Sequence, residues 1–303
     1  MNGAAADGPS AGVETPPAVA PLLVVDAPWL LYRSHFGLPS SIIGVEGRPV
    51  NALLGMANAL LGVVGALKPR AVAVCFGAED AAHRVRLFSG YHAAREAMPP
   101  ALAWQFARAP ELFAAWGWTV ANAGALEADD LLGAYAEVES AAAGDTVILT
   151  ADRDMYQCVE EHTRVLHLKG GELEFVDVSG VEARYGIAPA QVPDFIALRG
   201  DPSDGIPGAP GIGAKTAASL LVRFGSLEAL LAAADAGGDD LRPRLAQTLC
   251  DHAEALRTFR AVATLVPIHP DRPPDAVLDV AAAAAAADAL GLGQLAGRLR
   301  AGR

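Results

Sequence analysis

The chain alternates short, wholly apolar runs with longer stretches of helical spacing. Leu22–Val25 in "PLLVVDAPWLL", Ala71–Phe76 in "RAVAVCFGAED" and Thr146–Leu149 in "DTVILTADRDMYQ" show no polar alternation, Thr146 being the one hydroxyl among them. Such runs read as strands buried on both faces. Val50–Leu67 has helical spacing and ends at a Lys-Pro break, and "LEADDLLGAYAEVESAAA" reads as a helix opening with acids. The alternation predicts an α/β domain over residues 21–180, doubly wound around a mostly parallel sheet. From about Val181 to about Val266 the pattern becomes short helices with tight turns, predicting a second, all-helical region. Residues 267–303 begin as a proline-rich linker and end in an Ala-rich helical tail. Residues 1–20 are rich in Gly, Pro and Ala and lack aromatics, which predicts a disordered leader.

Composition narrows the class. The chain has 303 residues, and no apolar run is long enough to span a membrane. The leader lacks a basic segment before a hydrophobic core and so does not read as a signal peptide. Cys75, Cys158 and Cys250 are scattered, with no CxxC pair, which supports neither a disulfide framework nor structural zinc. A cytoplasmic protein is expected. The formal net charge of −12 argues at first against a nucleic-acid partner. That inference reverses locally if the acids collect in one place and bind divalent cations. Arg84, Arg86, Arg95 and Arg108, set against Glu96 and Glu111, make a basic island in the acidic chain.

The acids do fall at related positions. Asp26 ends the first apolar run, and Asp152 and Asp154 follow the third. Glu127 and Asp130, three apart, share a helix face with Asp129 beside them, and Asp201 and Asp204 have the same spacing. An open parallel sheet delivers such strand-end residues to one edge, where ligands bind. Taken singly, each piece has a blander explanation: a helix cap, a charged first turn, a loop former. Taken together, eight carboxylates on one edge are tolerable with bound cations. Oxygen donors of this kind select Mg²⁺ or Mn²⁺. Two such ions roughly 4 Å apart are the usual arrangement for phosphodiester hydrolysis.

Directly after Asp201 and Asp204 comes "GIPGAPGIGAKTAASLL". Gly205, Gly208, Gly211 and Gly213 punctuate a turn that opens a helix near Lys215. Free backbone N–H groups at such a helix start receive a phosphate well, although the glycines can also serve a tight inter-helix connection. The spacing is not that of a P-loop, which disfavours nucleotide hydrolysis.

With "LLVVD", "RPVNALLG", "GYHAAR", "LEADDLLGAYA", "ILTADRDMYQ" and "ALRGDPSDGIPGAPGIGAKTAASLL" in this order, the chain resembles the 5′-nuclease (flap endonuclease) family. The likeness is to stand-alone bacterial enzymes related to the amino-terminal domain of DNA polymerase I. It runs from about Leu22 to Val266. The resemblance implies a PIN-like nuclease domain with an arch at about 83–108, followed by a helix–hairpin–helix domain. It implies one metal held at Asp26, Glu127 and Asp129 and a second at Asp152, Asp154 and Asp204. Asp130 and Asp201 belong to the same cluster. The turn at Gly208, Gly211 and Gly213, with Lys215 and Thr216, would grip duplex DNA, commonly with K⁺. Arg84 and Arg95 would steer the scissile phosphate, and Tyr91 would stack on a terminal base.

Two positions depart from the family pattern. Gly77 stands where an Asp is usual, leaving Glu79 or Asp80 to reach inward. His92 stands where the family has Lys, exchanging a permanent cation for one that titrates near neutral pH. The implied activity is metal-dependent 5′→3′ exonuclease and flap endonuclease action on DNA with 5′ ends at flaps, nicks or gaps. The protein would act as a monomer beside a separate polymerase or ligase. A junction-binding relative with reduced catalysis is the alternative that Gly77 and His92 favour. A metal-dependent phosphatase of small substrates leaves the glycine turn unexplained.

Overall fold

The computed structural model describes residues 20–237 and 239–302, so the expected leader lies outside the described residues apart from Ala20. Six strands form one sheet: β1 (Leu22–Asp26), β2 (Ala71–Phe76), β3 (Thr119–Asn122), β4 (Thr146–Leu149), β5 (Thr163–Lys169) and β6 (Glu172–Val176). Their order is β3-β2-β1-β4-β5-β6, with β6 antiparallel and every other pairing parallel. The doubly wound α/β architecture follows. The three apolar runs are β1, β2 and β4, fully buried as runs without polar alternation require. β3 and the β5–β6 hairpin lack so plain a signature.

Alternate residues of each central strand feed two cores. Leu23, Val25, Val72, Val74 and Phe76 pack with the helices Ala27–Gly37 and Asn51–Leu67. Leu22, Val24, Ala73, Cys75 and Ile148 face the other way, toward the helix Ala128–Ala141 and the helical region beyond Val181. The strands therefore cannot slip by one residue without turning both cores inside out.

The carboxyl-terminal segment is more than an appendage. Its extended start is pinned by Ala276 N–H donating to the Arg70 carbonyl and Asp279 N–H to that of Trp116, each at 2.9 Å. The buried Glu139 accepts hydrogen bonds from both Arg70 and Arg272. Helices Val280–Ala289 and Gly293–Arg300 then complete the first core, with Ala283, Ala284, Ala287 and Leu295 fully buried. Alanine at these positions brings the helix close to its neighbours. Gly44 allows the same approach, since a Cβ there would lie 2.1 Å from the Leu290 carbonyl oxygen. Among the described residues, no single helix is long and apolar enough to cross a membrane.

Between β2 and β3 the stretch expected as an arch begins with the helix Ala82–Leu87 and turns near Gly90–Arg95. It then returns to the packed domain as the helix Pro100–Phe106. Gln105 of that helix is fully buried, its side-chain oxygen accepting from Ala52 N–H at 2.7 Å. The far end of the stretch expected as an arch is thus packed into the domain.

Candidate active site

The sheet order places a topological switch beside β1, with β2 on one side and β4 on the other. Ligands of open α/β sheets bind at the carboxyl edge of such a switch. A cleft of about 610 Å³ lies there, lined by Asp26, Glu127, Asp129, Asp152, Asp154, Asp201 and Asp204. Seven of the eight predicted acids thus meet in one place.

Asp26 sits at the end of β1 and caps the following helix, accepting from Trp29 N–H at 2.9 Å. Its other oxygen accepts from the Thr150 hydroxyl at 2.6 Å, and Thr150 in turn accepts from Asp152 N–H at 3.0 Å. Asp152 accepts from Asp154 N–H at 2.8 Å. One chain of hydrogen bonds therefore links three of the acids, engaging the carboxylates of Asp26 and Asp152 and the backbone of Asp154, and Thr150, which the sequence does not mark, is its hub.

Asp201 and Asp204 come from a loop closed by paired backbone bonds between Asp201 and Ile206, each 2.8 Å. Asp201 accepts from Arg199 at 3.1 Å and from both donors of Ser203. The Asp204 carbonyl accepts from His92 N–H at 3.0 Å, and its carboxylate stands 3.2 Å from His92 Nε2. A Cβ at Gly205 would lie 2.5 Å from the Gly90 carbonyl oxygen, so glycine lets this loop press against the arch.

Burial and crowding set the charge state. Burial pushes the Asp26 carboxyl up to about 6, against hydrogen bonds from Thr150 and Trp29 that pull it down. Asp152 rises to about 7, burial leading and the charges of Asp204 and Asp26 adding to it. Asp129 and Asp154 rise well above the usual range, first by burial and then through neighbouring carboxylates. Among the described residues, no three such side chains are drawn into a closed metal cage. The carboxylates surround the cleft and hold one another apart. The donor set fits a hard divalent cation: all oxygen, mutually repelling, and outnumbering Arg95, Arg153 and Arg199 on the same cleft.

Two predicted residues stand elsewhere. The expectation that Arg84 faces the scissile phosphate is not met, because Arg84 is 4% exposed and fully engaged. It donates to Glu127 at 2.7 Å, to both oxygens of Asp130 at 2.8 and 3.0 Å, and to the Val262 carbonyl at 3.0 Å. Asp130 likewise points away from the cleft, accepting further from Glu127 N–H and Val266 N–H at 3.2 and 2.8 Å. The helix face shared by Glu127 and Asp130 is thus divided, Asp130 serving as a buried anchor for the capping box that opens the helix Ala128–Ala141.

Of the stretch expected as an arch, Tyr91, His92 and Arg95 line the cleft. His92 has φ of +53°, and its ring stacks on Tyr91 with centroids 4.0 Å apart. Tyr91 is largely buried, with its hydroxyl 3.4 Å from Glu127. Arg95 reaches Glu79 at 3.3 Å and lies over the Tyr32 ring. Glu79 also lines the cleft, whereas Asp80 caps its own turn by accepting from Ala82 N–H at 3.2 Å. In the glycine turn, Gly211, Gly213, Lys215 and Thr216 are exposed, and Gly213 begins the helix Ala214–Phe224 with no side-chain cap. Gly208 has a packing role: it is buried, and a Cβ there would meet Gly200 N at 2.4 Å.

Comparison with known proteins agrees with this architecture. A model described as "5′-3′ exonuclease, N-terminal resolvase-like domain" matches residues 21–186, and "5′-3′ exonuclease, C-terminal SAM fold" matches 187–280. A 5′-3′ exonuclease of Mycobacterium tuberculosis is 38% identical over 238 residues, 71% of this chain and 74% of that protein. One from Streptomyces coelicolor is 36% identical over 260 residues, covering 80% and 84%. DNA polymerase I of Chloroflexus aurantiacus is 39% identical over 254 residues, 81% of this chain but 26% of that much longer protein. Among solved structures, the T5 D15 protein co-crystallised with metal ions superposes with a TM-score of 0.66 at 16% identity, covering 92% of this chain and 98% of that one. The catalytic core of Rad2 in complex with DNA substrate gives 0.62 at 16% identity, covering 93% and 90%. The chain therefore belongs to the 5′-3′ exonuclease family of nucleases.

Proposed function

We propose that the protein is a divalent-metal-dependent 5′→3′ exonuclease and structure-specific flap endonuclease acting on DNA in replication and repair. The observation that carries this reading is the gathering of seven carboxylates from a strand end, loops and one helix start in a single cleft, in a protein that also exposes an uncapped, Lys215-bearing helix start. Asp26, Glu127 and Asp129 would hold one Mg²⁺ or Mn²⁺, and Asp152, Asp154 and Asp204 a second. When bound, such ions supply Lewis-acid stabilisation of developing negative charge and lower the pKa of water. Thr150 holds the Asp26 carboxylate by its hydroxyl and the Asp152 backbone by its oxygen, so that the two acids start from a fixed frame. Asp201, held by Arg199 and Ser203, shapes the loop that presents Asp204.

Arg95 and His92 line the cleft beside the acids and would bind the phosphate. Tyr91 lines the cleft wall with its ring stacked on His92, and would contact the terminal base once His92 moves aside. The exposed amides of the turn at Gly211–Thr216, with the Lys215 ammonium, would bind the duplex backbone, and K⁺ at this turn would share the load. Hydrolysis adds water across the P–O3′ bond and leaves a 5′-phosphate and a 3′-hydroxyl. The protein would act as a cytoplasmic monomer, beside a separate polymerase or ligase.

The test is a substrate panel in Mg²⁺ and in Mn²⁺: 5′-flap, nicked, gapped, blunt duplex and single-stranded DNA, with end-group analysis of the products. Preferred cleavage at the branched or nicked 5′ end, leaving 5′-phosphate, supports the reading. Tight junction binding without cleavage in either metal overturns it in favour of a binding protein.

A further inference from the structure

We propose that Glu79 is the carboxylate contributed by the β2 edge to the cation site of the cleft, an inference that rests on the nuclease reading above. The sheet places β2 between β1 and β3. Asp26 ends β1, Glu127 follows β3, and Asp152 follows β4, so the loop after β2 emerges among acids. Its first residue is Gly77, which has no side chain to offer.

The structure explains why that residue is glycine. A Cβ at position 77 would lie 2.3 Å from Ala128 N and 2.4 Å from the Glu127 carbonyl carbon. These are backbone atoms at the start of the helix that bears Asp129, and they cannot give way as a flexible side chain would. The next residue, Ala78, is held against the same turn by donating to the Leu126 carbonyl at 2.7 Å. The loop is thus fixed against the acid-bearing helix start, and a side chain can enter the cleft first from the residues that follow.

Of the two acids there, Asp80 is used locally, accepting from Ala82 N–H. Glu79 enters the cleft with Asp26, Glu127 and Asp129. Its extra methylene compared with Asp suits a ligand offset along the loop. The competing explanation is that Glu79 holds Arg95. That contact is one bond of 3.3 Å between side chains 38% and 28% exposed, which is weak anchorage, and the hydrogen bond from the Tyr32 hydroxyl adds to it while leaving the carboxylate acceptor capacity to spare. It gives no reason to set a further carboxylate beside Asp26, Glu127 and Asp129.

The experiment is calorimetric titration of Mn²⁺ into the full chain without DNA, comparing wild type, Glu79→Gln, Arg95→Gln, Asp80→Asn and Asp154→Asn, with thermal unfolding of each as a folding control. We expect Glu79→Gln to weaken Mn²⁺ binding by at least about tenfold. Asp80→Asn should bind Mn²⁺ as wild type does, and Arg95→Gln, which removes a cation beside Glu79, should bind it at least as tightly. Wild-type affinity in Glu79→Gln, or an equal loss in Arg95→Gln, overturns the assignment. Wild type that binds no Mn²⁺ overturns it as well. A loss in Asp154→Asn with none in Glu79→Gln removes Glu79 alone and leaves the metal site standing. Flap cleavage by wild type, measured in parallel, judges the nuclease reading separately.

Discussion

Replacing Arg84 with methionine removes the guanidinium that bridges Glu127, Asp130 and the Val262 carbonyl. The side chains of Arg84, Asp130 and Glu127 are 5%, 0% and 12% exposed, so the charges left behind gain little from solvent. Removing one partner of a buried ion pair costs about 3–5 kcal/mol. Methionine fills much of the vacated aliphatic space, and Asp130 keeps two backbone donors, which places the expected loss near the lower figure. At roughly 2–4 °C per kcal/mol, about 3 kcal/mol lowers Tm by about 6–12 °C. Thermal unfolding by circular dichroism measures this directly. Adding Asp130→Asn to Arg84→Met should recover part of the loss, because it removes the unpaired charge. A Tm within about 2 °C of wild type, accompanied by lost cleavage, would refute the buried clamp and restore Arg84 to a role at the phosphate.

Three further outcomes follow from the same geometry. Glu139 is pushed up by burial but held below its ordinary value overall by hydrogen bonds from Arg70 and Arg272 and by their charges. A depressed folded-state value means that its contribution is complete above the unfolded value of about 4.3 and is lost as pH falls through the folded one. Glu139→Gln should therefore lower Tm at pH 7, and the gap from wild type should narrow below about pH 4.3. Gly77→Asp should destabilise by about 1–3 kcal/mol or more and leave cleavage no higher than wild type, because its Cβ meets backbone; increased cleavage would show that the loop can move. Lys215→Ala should weaken DNA binding about equally across sequences and reduce the salt slope of log K by about 1, measured by fluorescence anisotropy at several ionic strengths.

The three fully buried strands were legible because a strand covered on both faces must be apolar throughout, and the acids were legible because they follow those strands. The hairpin of β5 and β6 carried a signal too: Gly170 and Gly171, both at positive φ, make the two-residue turn that such a hairpin requires. The direction of individual side chains was not legible. Glu127 and Asp130 share a helix face by spacing, yet Asp130 turns to Arg84 and Val266, contacts made across 46 and 136 residues of chain. The same holds for Thr150, whose partner Asp26 lies 124 residues away, and for the tail helices, whose alanines reveal nothing of what they pack against.

The most direct test of the central claim is cleavage of a 5′-labelled flap in Mg²⁺ by wild type, Asp152→Asn and Asp154→Asn, with DNA affinity measured on the same preparations. The account predicts cleavage by wild type and a loss of about 10²-fold or more in each variant, with binding retained. Cleavage that survives in both variants, or wild-type protein that binds the flap and never cuts it, would contradict it.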